Sequence, residues 1–378
     1  MIGLLVLVLT QNWQQCAPMP TPGFRFASAA VGSRIYAIGG LIVAPDSSRQ
    51  ATEAYDVPAD SWLRGLAPMP GPKWDAGCAE LDGKVYVIGG TDGHSDLSRV
   101  DRYAPSSNTW DTVAPLPWPR SALAGCAYGG CIYAIGGHSG ATYERTVARF
   151  TPDSGAGRWD VVESLWTPRT SPAAAVAAGK MCAVGGKYYS SDLSSFETYH
   201  PGMGWSPSAV QMHHSRSGGA AVGWGPWLCA IGGQSRGRPM SSVEIVNADS
   251  GPWRDTTSLS VERAFCGAAV ADGFVVVMGG QDLYGATEAS VEKNNSIFPP
   301  GIEEPETRTP VKTALRWATV ASKRVRITCR SAAIYDGSGH RVFAGSGPVD
   351  AQFAPGVYFA RVTDENGRPA SGRITVVR

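Results

Sequence analysis

Five basic side chains occupy one repeated position in this sequence. A diglycine follows an apolar stretch six times, and the residue sixteen places before its first glycine is basic in five of the six copies. The basic residues are Lys73, Arg120, Arg169, Arg216 and Arg263, and the remaining copy has Gly23. Cations arranged around one centre would attract carboxylates or phosphates, which arginine can bind through two parallel hydrogen bonds. A brace for the loop between repeats is the favoured alternative, since a structural role predicts the same residue type in every copy.

Three tryptophans lie close to these cations, outside the position where tryptophan itself repeats. They are Trp74, Trp118 and Trp166. An aromatic face beside a cation can stack on an acidic sugar or on a peptide. Apolar filling of irregular loops explains these tryptophans equally well, so both interpretations stay open.

Histidines and cysteines supply no recognisable metal site. Two of the six histidines, His94 and His138, follow the diglycines of neighbouring copies, but the spacing shows no convergence of ligands. None of the eight cysteines forms a CxxC pair, and most lie in apolar stretches that suit buried thiols. The sequence also lacks G-x-S-x-G, Walker and H-E-x-x-H motifs. It therefore predicts no metal and no cofactor, and it favours binding over catalysis.

The elements that carry these residues repeat with a nearly constant period. The diglycines begin at Gly39, Gly89, Gly136, Gly185, Gly232 and Gly279, at steps of 47 to 50 residues. Tryptophans recur at Trp13, Trp62, Trp110, Trp159, Trp205 and Trp253, at steps of 46 to 49 residues. Within residues 73–117, strand-like segments flank an Asp82-Gly83 hairpin turn and end in the diglycine. Four short antiparallel strands in a unit of this length predict one blade of a β-propeller.

The repeat resembles the Kelch repeat. The resemblance rests on the diglycine, the tyrosine of "DRYAP", the tryptophan and a "P-x-R" that enters the next unit, and it covers residues 12 to about 294. It implies an all-β protein with a six-bladed propeller. Blade three departs from the pattern, because "VARF" lacks the acidic residue before its aromatic, and "SVEKNN" makes the third strand of blade six degenerate.

The beginning of the chain reads as the end of a blade. Six diglycines are followed by only five tryptophans, whereas Trp13 precedes the first diglycine. An open propeller would expose unpaired strand edges. We therefore expect "NWQQCAPM" to supply the fourth strand of the sixth blade. The apolar residues 1–11 are interpreted as a truncated signal segment, or alternatively as a strand that leads into Trp13; ten apolar residues are too few to span a bilayer.

The composition changes after Asn295. Residues 296–312 are rich in proline and suit a linker, and residues 313–378 contain alternating strands that predict a small β-sandwich. "IYDGSGHRVF", "FAPGVYFARV" and the closing "RITVVR" resemble the C-terminal sorting domain of type IX secretion substrates. The carried-over positions are Tyr335-Asp336 with Gly339, and Pro355 to Tyr358. The resemblance implies a bacterial protein that is secreted or attached to the cell surface; an adhesive Ig-like domain is the alternative.

Composition and fold together favour a binding protein. Of the 378 residues 17% are charged and the net charge is +1, which argues against nucleic acid as a partner. The expected ligand is a protein or a glycan, held by loops at one end of the propeller channel. Sialic-acid mutarotases, which are six-bladed Kelch enzymes, offer an alternative with an acidic sugar as substrate. Galactose-oxidase-like copper enzymes are a second alternative, but they have seven blades and their ligand set is not recognisable here.

Overall fold

The computed structural model describes residues 13–42, 47–153 and 155–298, together with the backbone of six strands between residues 324 and 376. The chain divides into two compact units, Met1–Thr307 and Arg308–Arg378, which are described separately. No described residue is helical, and accordingly no described helix has the length and apolarity needed to cross a membrane. The proposed signal segment and nearly all of the proposed linker lie outside the described residues.

Six four-stranded antiparallel sheets make up the first unit, and each sheet is one blade. Blade 1 has strands Ala27–Val31, Arg34–Ile38, Thr52–Asp56 and Ser61–Leu63. Blade 2 has Gly77–Leu81, Lys84–Ile88, Val100–Ala104 and Thr109–Val113. Blade 3 has Ala124–Tyr128, Cys131–Ile135, Val147–Thr151 and Arg158–Val162. Blade 4 has Ala173–Ala177, Lys180–Val184, Phe196–His200 and Gly204–Pro207. Blade 5 has Ala220–Trp224, Trp227–Ile231, Val243–Asn247 and Ser250–Asp255, and blade 6 has Gly267–Ala271, Phe274–Met278 and Val291–Asn294, with Gln14–Cys16 as its fourth strand.

The blades form a closed ring, which confirms the prediction of a six-bladed propeller. The first strand of each blade contacts the first strand of the next, and Ala27–Val31 of blade 1 contacts Gly267–Ala271 of blade 6. Six apolar clusters each join two neighbouring blades. Between blades 2 and 3, for example, the rings of Tyr86 and Phe150 lie 5.8 Å apart. The core is therefore divided among the blade interfaces.

The last four residues of the second strand are buried in every blade. In Lys84–Ile88 the last four residues are at most 3% exposed, as expected for a strand covered by a neighbouring sheet on each face. The diglycine then turns the chain, with φ of 67° at Gly39 and 90° at Gly40. A Cβ on Gly39 would lie 2.5 Å from the carbonyl oxygen of Lys73 in the next connection. Glycine is thus needed here both for its conformation and for the close approach of the backbone.

Three of the repeated tryptophans, Trp62, Trp110 and Trp159, attach their blade to the preceding one, whereas the indole nitrogens of Trp205 and Trp253 are buried without a hydrogen-bond partner. The indole Nε1 of Trp110 donates to the carbonyl of Ala67 at 2.8 Å, and Trp159 donates to Ala114 at 2.8 Å. Both alanines belong to the repeated Ala-Pro pair that leaves the preceding blade. The joint period of tryptophan and Ala-Pro in the sequence therefore reflects a direct hydrogen bond.

The beginning of the chain shares a sheet with the last blade. Gln14–Cys16 pairs antiparallel with Val291–Asn294, and Gln15 lies opposite Glu292. The next residue, Ala17, contacts blade 1: its N–H donates to Asp60 at 2.8 Å, and its carbonyl accepts from Trp62 at 2.9 Å. The first described residues thus contact both blade 6 and blade 1.

The predicted hairpin turn at Asp82-Gly83 is confirmed. Asp82 and Gly83 have φ of 53° and 74°, and Leu81 pairs with Lys84 across the turn. Gly129 and Gly130 form the equivalent turn, which places Cys126 opposite Tyr133 rather than opposite Cys131. The seven described cysteines are free thiols.

Short hairpins extend the loop between the second and third strands in four blades. Their strands are Leu41–Ile42 with Ser47–Ser48, His138–Ser139 with Thr142–Tyr143, Lys187–Tyr188 with Ser191–Asp192, and Gln234–Ser235 with Arg238–Pro239. Each hairpin also bridges to the start of its own blade, as His138 does with Ser121.

In the second unit the described backbone is entirely β-strand. Arg324–Ile327 pairs with Val349–Gln352 in one sheet. The other sheet has the order Arg341–Ser346, Ser331–Asp336, Gly356–Thr363 and Pro369–Val376. Two of the motifs compared with sorting domains lie on paired strands, where Asp336 is opposite Tyr358. The Ig-like sandwich and the role in sorting remain predictions.

Candidate ligand-binding face at the channel mouth

One end of the propeller collects the loops that carry the candidate residues. First and second strands are antiparallel, so the start of Ala27–Val31 lies beside the end of Arg34–Ile38. The diglycines, the short hairpins and the connections between blades therefore share this end, which we call the mouth. The turns between first and second strands and between third and fourth strands lie at the opposite end.

The five predicted cations lie at the mouth but do not face solvent. Lys73, Arg120, Arg169, Arg216 and Arg263 are at most 2% exposed. Each side chain donates to carbonyls of its own blade. Arg169 Nη1, for example, donates to Gly185 at 2.6 Å and to Ser195 at 3.3 Å. These cations thus bind the backbone around the diglycine.

Four of the five cations are neutralised by a buried carboxylate of the third strand. The pairs are Lys73–Asp101 at 2.8 Å, Arg169–Glu197 at 2.7 Å, Arg216–Glu244 at 2.5 Å and Arg263–Glu292 at 2.6 Å. Glu197 also accepts from the backbone N–H of Trp166 at 2.7 Å and of Thr167 at 3.0 Å, so the pair fastens the incoming connection to the blade. The charge of these four cations is already satisfied inside the protein, which favours the bracing role over binding of a ligand at the channel end.

Blade 1 has the same buried ion pair, but its cation comes from a different segment of the chain. Gly23 stands at the position of the cation, and Arg49, from the loop before the third strand, pairs with Glu53 at 2.7 Å. A Cβ on Gly23 would lie 2.5 Å from Arg49 Nη1. The glycine leaves room for an arginine that arrives from another segment.

Blade 3 has the cation without the carboxylate. Ala148 takes the acidic position, so Arg120 has only carbonyls as hydrogen-bond acceptors, and its Cζ lies 4.8 Å from the centre of the Trp118 ring. Arg120 is fully buried, so its side chain is not exposed on the open face of the mouth.

A ring of backbone hydrogen bonds surrounds the channel two residues after the cations. We call these six residues the mouth ring. They are Arg25, Asp75, Ala122, Ser171, Gly218 and Phe265, all with φ between 49° and 57°. Each N–H donates to the carbonyl of the ring residue in the preceding blade, over 2.6 to 3.1 Å, and Arg25 closes the circle by donating to Phe265. The backbone alone fixes these positions, so their side chains can differ.

Three mouth-ring residues form a charged and aromatic group. Arg25 pairs with Asp75 at 2.5 Å, and its Cζ lies 3.7 Å from the centre of the Phe265 ring. Phe265 lies over Gly218, where a Cβ would come within 2.5 Å of the ring. Burial raises the pKa of Asp75, and the adjacent Arg25 charge opposes that rise. Asp75 is thus a half-buried carboxylate held by one arginine.

His138 belongs to a hydrogen-bonded chain across three blades. Ser121 Oγ lies 2.5 Å from Asp96 and 2.9 Å from His138 Nε2, while His138 Nδ1 lies 3.1 Å from Thr170 Oγ1. Ser121 has one proton, which it donates to the carboxylate, so it accepts from Nε2–H. In the neutral imidazole, Nδ1 then accepts from Thr170. The chain fixes the ring orientation of His138.

Arg25, Asp75 and His138 border a cavity of about 310 Å³, which is within the size range of small-ligand sites. Its lining residues are Arg25, Asp75, Ala122, His138, Gly140, Ala141, Tyr143, Thr170 and Ser171. A cation, a carboxylate, an imidazole and a phenol therefore converge on one side of the mouth.

Tyrosines extend this site onto the surface. The ring of Tyr189 lies 5.4 Å from that of Tyr143 and 4.4 Å from that of Tyr188, and Tyr189 is 65% exposed. We call these three residues the tyrosine cluster. Tyr284, in the equivalent loop of blade 6, is also exposed. Large exposed aromatics around a polar opening are typical of binding surfaces.

The three predicted tryptophans differ in environment. Trp166 is 66% exposed, and its indole N–H donates to the carbonyl of Trp205. Trp74 is half-buried, with its ring against Gly93, and the indole nitrogen of Trp118 is buried. Only Trp166 therefore offers a largely free ring to a ligand.

One group of potential metal ligands occurs among the described residues: His213, Glu244 and Asp255. Both oxygens of Glu244 already accept hydrogen bonds, from the backbone N–H groups of His213 and His214 and from Arg216. His213 and Asp255 form an ion pair at 3.0 Å, whose hydrogen bond raises the pKa of His213. We therefore assign no metal to this group.

Sequence reasoning missed the mouth ring by two residues. The alignment of the repeats is correct, but the predicted site residues lie at the position where the residue type is constant. Counting fourteen rather than sixteen residues before each diglycine gives Arg25, Asp75, Ala122, Ser171, Gly218 and Phe265. Their diversity at an equivalent backbone position was the available signal.

Comparison with known proteins identifies Kelch repeats. A model described as the Kelch motif matches residues 75–117 and 119–165. Over 74 residues the chain is 39% identical to an F-box/kelch-repeat protein of Arabidopsis thaliana, a segment that makes up 20% of this chain and 25% of that protein. The chain thus spans about a quarter of the length of this curated relative.

A solved structure supports the same architecture. The structure of YjhT matches with a TM-score of 0.61 at 16% identity, and the match covers 73% of this chain and 95% of that one. At this identity the likeness concerns the fold alone. The protein is a six-bladed β-propeller that contains Kelch repeats.

Proposed function

We propose that the propeller binds a protein or glycan ligand at its mouth. The observation that carries this proposal is the tyrosine cluster, with Tyr189 exposed, at the edge of the cavity of about 310 Å³. Kelch propellers commonly serve as protein-binding modules, which supports a protein ligand. A glycan fits the same site, because sugar rings stack on tyrosine while the charged cavity groups bind their polar substituents.

The test compares two exposed side chains at opposite ends of one blade. Tyr189 lies at the mouth of blade 4, and Met203, which is 82% exposed, lies in the turn between the third and fourth strands. Glycan arrays and a peptide-display library provide the probes. We expect Tyr189→Ala to weaken the selected probe about tenfold, as the loss of an aromatic anchor does, and Met203→Ala to leave affinity unchanged. Equal affinity of the two variants would remove the tyrosine cluster from the site.

A second candidate function is catalysis on an acidic sugar. Arg25 could orient a carboxylate, and Asp75 and His138 are the acid–base groups at the same cavity. Turnover is tested on acidic sugars by NMR of their anomeric protons, with Asp75→Asn as the inactive control. The copper-enzyme alternative receives no such support, because both ring nitrogens of His138 are engaged by Ser121 and Thr170.

We further propose that the protein acts outside the cytoplasm and is exported or attached through residues 313–378. The support is the sequence of the second unit, with its resemblance to sorting domains. Fractionation of cells that express the full chain, or a chain ending at residue 312, tests this. Retention of the shortened chain inside the cell supports export through this segment, whereas unchanged secretion contradicts it.

Finally, we propose that the strand Gln14–Cys16 closes the propeller. The pairing with Val291–Asn294 and the contacts of Ala17 with blade 1 support this role. Closure would bury the edge of blade 6 and join the ring through main-chain hydrogen bonds. Removal of residues 1–20 should therefore sharply lower the melting temperature of the full chain, and an unchanged melting temperature would contradict the proposal.

A further inference from the structure

The acidic position of the third strand is filled in every blade except one. In every blade this position pairs with the second-strand residue two places before the diglycine. Examples are the pairs Ala134–Ala148 and Ala183–Glu197. The carboxylates are Glu53, Asp101, Glu197, Glu244 and Glu292. In blade 3 the residue is Ala148, so the carboxylate that receives the arginine in blade 4 is missing.

Arg120 nevertheless keeps the pose of the other arginines. Its Nη1 donates to the carbonyls of Gly136 at 3.3 Å and Thr146 at 3.0 Å, equivalent to the contacts of Arg169. The two differ at Nη2: in Arg169 this nitrogen donates to Glu197 at 2.7 Å, while in Arg120 it is buried without a hydrogen-bond partner. A buried guanidinium donor without an acceptor is costly.

Trp118 adds a second unsatisfied donor at the same place. Its indole nitrogen is buried without a partner, and its ring lies 4.8 Å from Arg120 Cζ. Trp118 is also equivalent in sequence to Thr167, whose backbone N–H donates to the carboxylate in blade 4. Two buried donors that lack acceptors therefore belong to the two side chains in contact here, Arg120 and Trp118.

No carboxylate of the described chain replaces the missing partner within ion-pair distance. Burial lowers the pKa of Arg120 to about 10, so the side chain stays charged at neutral pH. The charge of Glu144 acts in the opposite direction and raises the pKa of Arg120, but the Glu144 carboxylate accepts its hydrogen bond from the hydroxyl of Thr146, at 2.7 Å. The interior of blade 3 thus holds a cation whose partner is not provided by the neighbouring strand.

We propose that blade 3 binds a small monovalent anion, a halide such as chloride or a short carboxylate such as formate, between Arg120 Nη2 and the Trp118 indole N–H. The anion takes the place of the carboxylate that Glu197 provides in blade 4. Glutamate exceeds alanine by one methylene and the carboxylate group, so the omitted side chain corresponds to an anion of this size. Arginine and indole N–H groups both donate to such anions.

The first test measures thermal unfolding of the full chain as chloride replaces gluconate at constant ionic strength. A ligand that binds only the folded state raises the melting temperature, by about 2–4 °C for each tenfold increase above its dissociation constant. Formate in a parallel series distinguishes a carboxylate from a halide. A rise in either series supports the proposal if Arg120→Met abolishes it. A melting temperature that is independent of both anions, or that responds equally in the variant, overturns the proposal.

A second variant supplies the missing group from within the chain. Ala148→Glu copies blade 4, and Ala148→Asp copies the shorter acid of blade 2; each should raise the melting temperature in gluconate and abolish the anion response. Bromide then locates the site directly by anomalous scattering in crystals of the wild-type chain. A peak within hydrogen-bond distance of Arg120 Nη2 supports the proposal. Its absence at about 0.1 M bromide, close to physiological ionic strength, overturns it and leaves the backbone carbonyls and the Trp118 ring as the partners of the charge.

Discussion

The buried cations and the mouth ring lie two residues apart on the same connections between blades. The residue type is nearly constant at the first position and different in every blade at the second. At the cation position five of six blades have lysine or arginine, and the sixth obtains its cation from Arg49. At the mouth ring the six blades have six different residue types. Constancy between repeats therefore marks the side chains that the fold requires, whereas variation on a fixed backbone marks positions that are free to contact a ligand.

The physical cause lies in what fixes each position. A buried cation needs carbonyls and a carboxylate around it, so its partners are constrained as strongly as the cation itself. The mouth ring is held by backbone hydrogen bonds between blades, and its only demand on the side chain is tolerance of a positive φ. Ala122 and Phe265 accept that conformation alike, at a modest local cost.

The largest effect is expected from breaking a buried ion pair. Glu197→Ala leaves Arg169 charged and without its partner, and it frees the N–H groups of Trp166 and Thr167. We expect the free energy of unfolding to fall by about 3–5 kcal/mol, measured in urea. A matched control is Glu163→Ala, an exposed acidic residue near the same connection. A loss below about 1 kcal/mol, the value for a surface pair, would contradict a structural role for the pair.

An intermediate effect is expected where the chain start contacts blade 1. Asp60→Ala removes the acceptor of the Ala17 N–H and of the Tyr55 hydroxyl, at 2.8 and 2.6 Å. We expect a loss of about 1–2 kcal/mol, since Tyr55 is fully buried and would retain an unpaired hydroxyl. The measurement is urea unfolding at pH 7, with Asp56→Ala on the same turn as the control, because it removes only solvent-exposed contacts with Arg34 and the Ala59 N–H. Equal stability of the two variants would contradict a role for Asp60 in fastening the first strand.

The same residue gives a pH dependence of defined sign. The hydrogen bonds from Tyr55 and Ala17 lower the pKa of Asp60. The stability they contribute is therefore present above the unfolded-state pKa of about 3.9 and is lost as the pH falls through the lower folded-state value. Below pH 4 the difference in unfolding free energy between wild type and Asp60→Ala should shrink. A difference that grows on acidification would contradict this assignment.

Much of the fold could be predicted because it repeats. The diglycines and tryptophans gave the blade number, and the structure explains both signals, through the close approach to Gly39 and through the indole bond to Ala67. The site was predicted less well. No local sequence pattern predicts that Arg49 fills the space beside Gly23, because the two residues come into contact only after folding.

The convergence at the cavity was equally invisible in the sequence. His138 lies 32 residues before Thr170 and 113 after Arg25, and these two neighbours belong to other blades. Only the closed ring brings Arg25 of blade 1 to Asp75 of blade 2 and near the hairpin of blade 3. By contrast, the absence of an acidic residue in "VARF" was visible in the sequence as a departure from the repeat. In the structure this absence leaves Arg120 Nη2 buried without a hydrogen-bond partner.

The smallest effect on stability, with a large effect on binding, is expected at the mouth ring. Ser171 lines the cavity with φ of 49°, and the ring already accommodates alanine and phenylalanine in the same conformation, at Ala122 and Phe265. Ser171→Ala should therefore change the free energy of unfolding by no more than about 0.5 kcal/mol. Ser171→Phe should remain folded, with a loss of at most about 1 kcal/mol, yet it should place a ring in the cavity and weaken the probe selected for the mouth by about tenfold or more. Urea unfolding and probe titration of the two variants separate these effects. If Ser171→Phe destabilises the protein as strongly as Glu197→Ala, the mouth ring is part of the structural framework, and the distinction between constant and variable positions fails.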